Sequence, residues 1–213
     1  MSAGVPKVLV DANIFYSRTL RDWVGLMALR SGPALFDVRW TEDVIAETLY
    51  HLRKKHPFWD DAQVGGVRER IEATYPHGRI TGFSVDRSLA YEDDHDAHLH
   101  AAAEHGRVSY VVSDDKKFAK FAADNDELLN YEVYCADEFL LWIDQNSQPT
   151  VEEALVKQLE YFRMKGQQFN LVTALQDAGA TGFAERIRVY LGSSPAVTKV
   201  LSKPATKRAP SKV

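Results

Sequence analysis

Cysteine is almost absent: Cys135 is the only one in 213 residues, which excludes an internal disulfide framework and a Cys-rich zinc site. Long apolar runs are missing as well, and none approaches the roughly 20 residues that a membrane span requires. The opening segment MSAGVPKVLVDANIF lacks the separate basic, apolar and small-residue regions of a signal peptide. Its short apolar stretch leads straight into Asp11, as a first strand would. The expectation is a cytoplasmic protein with no membrane contact, and a Cys135 that is buried and inert at the end of a β-prone run. No internal repeat is present.

Basic charge is also scarce over most of the chain. The net charge is −4, yet residues 192–213 hold five basic side chains (Lys199, Lys203, Lys207, Arg208, Lys212) and no acidic one. Taking those five from the 26 basic residues leaves 21 against 30 acidic ones, a formal balance of −9 for the remainder. Phosphate neutralisation supplies much of the affinity of nucleic-acid binders, so an acidic body argues against that class. Bound cations on a carboxylate cluster, a basic partner or the basic tail would each reconcile the two.

Composition is that of a soluble globular protein, with 45% hydrophobic and 26% charged residues. The length suits one α/β core plus a small appendage. Short β-prone runs at 7–11, 35–40, 79–83, 108–112 and 131–135 alternate with helical spacing at 14–29, 41–56, 60–75, 94–105, 115–123 and 136–144. Thr41 reads as an N-cap with Glu42 and Asp43 in the first turn. That alternation predicts an α/β fold, a parallel sheet flanked by helices in three layers, with ligands at the carboxyl ends of its strands. Residues 1–145 form this unit, and 145–149 (QNSQP) read as a linker. A Thr150–Glu153 capping box opens a helical extension over 150–192. Residues 193–213, rich in Ser, Pro, Ala and Lys, read as a basic tail without fixed structure.

Four acidic motifs stand out. In VLVDANIF, Asp11 ends the first strand and Asn13 follows two residues later; helix capping alone would also explain Asp11. Haloacid-dehalogenase-type phosphatases begin in this way but need a second Asp where Asn13 stands. Response-regulator receivers need a phosphoacceptor Asp at a later strand end, where Trp40 and Phe83 are found. Glu47 shares a helix face with Val44 and His51, which is a rim position and equally that of a solvated surface acid. In YEDDHDAHLHAAAEHG, Glu92, Asp93, Asp94 and Asp96 occupy four of five positions. That exceeds what a helix dipole requires, and a bound cation would offset the repulsion. His95, His98 and His100 lack the Glu of an HExxH zinc arrangement. In VVSDDKKF, Ser113, Asp114 and Asp115 end the most β-prone strand, where N-capping is the competing explanation.

In order and spacing these motifs resemble the PIN-domain family: Asp11-Ala-Asn13, Glu47, Asp96-Ala-His-Leu-His-Ala-Ala-Ala, and Val112-Ser113-Asp114-Asp115-Lys-Lys-Phe118. The resemblance spans residues 1–145, with His100 departing where the family usually has an apolar residue. It implies a three-layer PIN-like (Rossmann-like) fold and a metal-dependent endoribonuclease. Asp11, Glu47, Asp96 and Asp115 would be the catalytic acids, with Asp11, Asp96 and Asp115 holding Mg²⁺ or Mn²⁺. Asn13, Asp93, Ser113 and Asp114 would support them, and Lys116 and Lys117 would contact RNA phosphates. Many members are VapC-type toxins that cleave RNA, are silenced by a small antitoxin and often form homodimers. The helical extension after residue 150 is similar to that of a longer subgroup of such toxins. A catalytically silent RNA- or protein-binding module and a small-molecule phosphohydrolase remain as alternatives.

Overall fold

The computed structural model describes residues 4–30, 35–85, 96–167 and 169–203. Strand β1 (Lys7–Val10) forms where three successive side chains, Val8, Leu9 and Val10, are fully buried. A strand apolar on both faces needs cover on both, which is the situation of a parallel sheet. It pairs in parallel with β2 (Asp37–Arg39) on one side and β3 (Tyr110–Val112) on the other, and β3 carries β4 (Glu132–Tyr134). The order is β2-β1-β3-β4, with Val10 opposite Val112 and Val112 opposite Tyr134. The ends of the two central strands therefore lie side by side.

Eleven helices accompany the sheet among the described residues. Five belong to its first half: α1 (Ala12–Tyr16), α2 (Arg18–Arg30), α3 (Glu42–Lys55), α4 (Asp61–Thr74) and α5 (Asp96–Gly106). Then follow α6 (Lys116–Asp124), α7 (Ala136–Asn146), α8 (Gln148–Met164), α9 (Leu171–Asp177), α10 (Thr181–Ser193) and α11 (Pro195–Leu201). The fold is α/β, an all-parallel sheet flanked by helices in the three-layer, PIN-like manner, with a helical C-terminal extension. Among the described residues no helix is long and apolar enough to cross a membrane. Thr41 caps α3 as expected, its hydroxyl accepting from Val44 N at 3.1 Å. Asp60 and Gln63 close a reciprocal capping box on α4, which carries the Gly65-Gly66 pair within the helix.

Several local expectations are corrected. The run at 79–83 is no strand: only a bridge between Trp40 and Arg79 forms, and Gly82, at φ +78°, turns the chain out of the sheet direction. The helix expected over 14–29 is two helices, because Ser17 is extended and its hydroxyl restarts the next one by accepting from Leu20 N. No open linker separates α7 from α8; only Ser147 lies between them, and Pro149 sits in the first turn of α8 where its missing N–H costs nothing. The Thr150–Glu153 capping box is replaced by a contact between the Ser147 and Thr150 hydroxyls. Part of the expected tail, Pro195–Leu201, is a helix that buries Val197 and Val200 and is capped by Ser194. Cys135 is half-buried rather than buried, at the N-cap of α7, and burial pushes its thiol up, which keeps it a weak nucleophile.

The C-terminal helices share the core of the sheet domain. Val151, Ala154 and Leu155 of α8 are fully buried, and Trp23 of α2 meets Phe183 of α10 edge-on at 5.1 Å. Asp137 of α7 accepts from Gly182 N (3.0 Å) and Phe183 N (2.8 Å), supplying from outside the acceptor that the start of α10 lacks. A Cβ at Gly182 would stand 2.8 Å from the Asp137 carboxylate, so a larger residue there would displace that carboxylate from its hydrogen bonds. Asp144, 3% exposed, is satisfied by Arg186 Nε at 2.6 Å and the Tyr190 hydroxyl.

Candidate active site: an acidic cleft at the strand ends

Asp11 directly follows β1 and Ser113 directly follows β3, so the pairing of Val10 with Val112 brings them together across 102 residues of sequence. Asp11 N continues the ladder to Val112 O at 3.0 Å, and Ser113 N continues it to Tyr134 O at 3.0 Å. The side chains then close a triangle. The Ser113 hydroxyl donates to Asp11 Oδ2 at 2.6 Å, Asn13 Nδ2 donates to the same oxygen at 2.6 Å, and Asn13 Nδ2 reaches Ser113 Oγ at 3.0 Å. The other oxygen, Asp11 Oδ1, accepts from Ala12 N at 2.6 Å, so Asp11 is at once the cap of α1 and the hub of the site. Asn13 Oδ1 fixes the next turn by accepting from Asp114 N at 3.1 Å.

A cleft of about 840 Å³ opens beside this triangle, and Asp11, Asn13, Glu47, Asp96 and Asp115 all line it. All four acids named as catalytic thus face one space, brought there by β1, α3, α5 and the turn after β3. Asp115 also caps α6, with Oδ1 accepting from Lys117 N at 2.7 Å, so capping and the cleft position coexist in one side chain. Asp96, the first residue of α5, is 7% exposed, whereas the Glu47 side chain is 48% exposed. Burial lifts the Asp11 carboxyl from 3.8 to about 7; the hydrogen bond from Ser113 pulls it back, and the nearby charges of Glu47 and Asp115 raise it further.

Asp114, Lys116 and Lys117 lie beside the cleft rather than among its lining residues. Asp114 Oδ1 accepts from Ala136 N at 2.8 Å, which ties the turn to the start of α7. Lys116 and Lys117 are exposed at the start of α6, next to Asp115. Glu92, Asp93, Asp94 and His95 lie outside the described residues. His98 lines the cleft 4.0 Å from Asp43, while His100 packs half-buried with its Nδ1 2.8 Å from the Tyr131 hydroxyl and its ring against Phe121. The departure from an apolar residue at position 100 is therefore accommodated by a polar partner.

Sequence reasoning missed Tyr16, Asp43 and Tyr50 as parts of this cleft, and used His51 only to judge the face of Glu47. Tyr16 lies one helical turn after Asn13, while Tyr50 and His51 lie one turn after Glu47, so helix geometry alone would have found them. Among the described residues no group of three or more Asp, Glu, His or Cys side chains stands close enough to hold a metal ion as placed. The donor chemistry does suit a hard divalent cation. The four acids offer carboxylate oxygens, and the negative charges of Glu47 and Asp115, which add to the effect of burial on Asp11, are ones that Mg²⁺ or Mn²⁺ would offset. Comparison with family models, with curated proteins and with solved structures yields no match for this chain.

Proposed function

We propose that this chain is a PIN-type endoribonuclease that hydrolyses RNA phosphodiester bonds with Mg²⁺ or Mn²⁺. The observation that carries the reading is that Asp11, Glu47, Asp96 and Asp115, drawn from four separate segments, line one cleft at the carboxyl ends of β1 and β3. Strand ends are where α/β sheets place their chemistry, and capping alone would not gather four acids there. Asp11, Asp96 and Asp115 would hold the cation, which when bound would neutralise phosphate charge and lower the pKa of a water.

The remaining roles fall to this chain's own groups. Ser113 and Asn13 hold the Asp11 carboxylate in one orientation through two donated hydrogen bonds. Glu47, far more solvated than Asp96, would accept the proton of the attacking water. Lys116 and Lys117 would meet the phosphates that flank the scissile one. In the cell this activity would suit the toxin of a toxin–antitoxin pair, with a small antitoxin as partner and a homodimer as the active form.

Purified protein with end-labelled RNA and Mg²⁺ or Mn²⁺ tests the core of this. Cleavage should depend on the cation, stop with EDTA, and be lost in Asp11→Asn and Asp96→Asn while both variants remain folded. Undiminished cleavage by both variants would refute the site. Turnover of a chromogenic monophosphate without RNA cleavage would replace the substrate class.

A further inference from the structure

Helix α3 carries more than Glu47 on its outer face. Its inner face, Ile45, Thr48 and Leu52, is buried. On the outer side, Glu47 is followed at one-turn spacing by Tyr50 and His51, then by Lys54 and Lys55. Tyr50 is 63% exposed, although nothing in the core requires an aromatic ring there. The His51 ring lies between two tyrosines, 5.0 Å from Tyr16 and 5.4 Å from Tyr50, and its Nε2 is 3.5 Å from Glu47. Tyr16, Tyr50 and His51 all line the acidic cleft. Lys54 and Lys55 are exposed, and Phe58, in the turn after the helix, is 97% exposed. Arg53 braces that turn by donating to Trp59 O at 2.7 Å and pairing with Asp61, while the Trp59 ring stacks on His56 at 4.0 Å.

From Glu47 to Lys55 this face runs eight residues, roughly 12 Å at 1.5 Å per residue. Acid, rings and ammonium groups follow one another along it. Exposed rings offer π-faces to unpaired bases, and lysines beyond them offer counter-charge to a sugar–phosphate chain. Bases inside a duplex are stacked on each other and cannot lie on such rings. In a body whose formal balance is −9 outside its last 22 residues, the exposed Lys54 and Lys55, next to an Arg53 held by Asp61, give an anionic strand a local place to bind.

We infer that the outer face of α3, with Tyr16 beside it, is a binding track for single-stranded RNA. It would stack unpaired bases on Tyr50 and the Tyr16–His51 pair, and lead the backbone from the cleft toward Lys54 and Lys55. The track specifies the substrate of the nuclease reading and rests on that reading for its direction into the cleft. Its test does not depend on cleavage. Equilibrium binding of a fluorescein-labelled 12-nucleotide RNA is measured by anisotropy in EDTA, with the same sequence as duplex RNA and as single-stranded DNA for comparison.

Single-stranded RNA should bind more tightly than the duplex. Tyr50→Ala should weaken it roughly tenfold or more, and Tyr50→Phe should retain it, because the ring carries the contact. Lys54→Ala/Lys55→Ala should flatten the slope of log affinity against log salt by about 1.4, two single-strand phosphate contacts' worth. Equal binding of duplex, or wild-type affinity and salt slope in both variants, would overturn the track. Single-stranded DNA bound as tightly as RNA would overturn its restriction to RNA. Cation-dependent cleavage that is indifferent to Tyr50→Ala would remove the track and leave the nuclease standing. Tyr50-dependent binding without cleavage under any cation would do the reverse.

Discussion

Asp11 gives the sharpest test of how the cleft is built, because its substitution by asparagine should stabilise the metal-free protein. Its carboxyl ordinarily titrates at 3.8 and is carried by burial to about 7 in the fold. A raised folded value means that the native state binds the proton more tightly. This contribution to stability is complete below pH 3.8 and is lost as pH rises through about 7. At about 1.4 kcal/mol for each tenfold change in proton affinity, folding costs about 4 kcal/mol more at pH 8 than with the carboxyl protonated in both states. At pH 5 the folded carboxyl is already protonated and the cost falls below about 2 kcal/mol. The substituted asparagine is neutral throughout but turns one amide donor toward that of Asn13, a loss of about 1 kcal/mol. Asp11→Asn should therefore exceed wild type by about 3 kcal/mol at pH 8 and by less than about 1 kcal/mol at pH 5. The melting-temperature difference should widen by about 5–10 °C between the two pH values. Urea unfolding of both proteins in EDTA at pH 5, 6, 7 and 8 measures this directly. A stability difference that does not change with pH, or a wild type that is the more stable at pH 8, would refute the reasoning.

Three further outcomes follow from named contacts. Ser113→Ala removes the hydrogen bond that pulls Asp11 down, so the Asp11 titration, followed by carboxyl-carbon NMR, should move above its wild-type midpoint near 7; an unchanged midpoint would show that Ser113 is not its partner. Gly182→Ala forces a methyl to within 2.8 Å of the Asp137 carboxylate, and thermal melts should show a loss of about 1–3 kcal/mol, while Asp137→Ala in the same background should recover part of it. Asp144→Ala leaves Arg186 and Tyr190 without their acceptor; because Arg186 is partly solvated, the cost in a urea melt should be about 2–3 kcal/mol, and a cost below about 0.5 kcal/mol would make the contact incidental.

The sheet was legible because its strands write themselves plainly. KVLVD and YVV are runs with no polar face, and such runs belong at the centre of a parallel sheet. Asp11 and the turn holding Ser113 and Asp115 followed from strand ends, whereas the choice of Asp96 and Asp115 among neighbouring acids rested on the resemblance to the PIN-domain family. Glu47 was harder, since an acid one turn before a histidine on a helix rim has the pattern of a surface residue. Asp114 stands beside the cleft, since it meets the start of α7, and sequence alone does not separate two adjacent carboxylates on one turn. Which of them caps the next helix and which meets Ala136 N depends on β4 arriving alongside. The split at Ser17 and the loss of the strand at 79–83 came from single residues whose local hydrogen bonding or positive φ outweighed a favourable hydrophobic pattern. The extension was underestimated for a different reason. Asp137 and Asp144 look like ordinary helix-surface acids until α10 packs on α7 and supplies the donors they accept from.

The triangle of Asp11, Asn13 and Ser113 has a consequence for the order in which the chain becomes competent. Its members are separated by 100 and 102 residues, and no hairpin connects the strands that carry them. A parallel pairing of this kind is made only after the long connection between its strands has been synthesised and has closed. As the chain leaves the ribosome, Asp11 and Glu47 emerge well before Ser113 and Asp115, and the start of α7 that receives Asp114 comes later still. The four acids therefore share no cleft in any short nascent chain. Whatever the cleft does, it is withheld until the greater part of the protein exists.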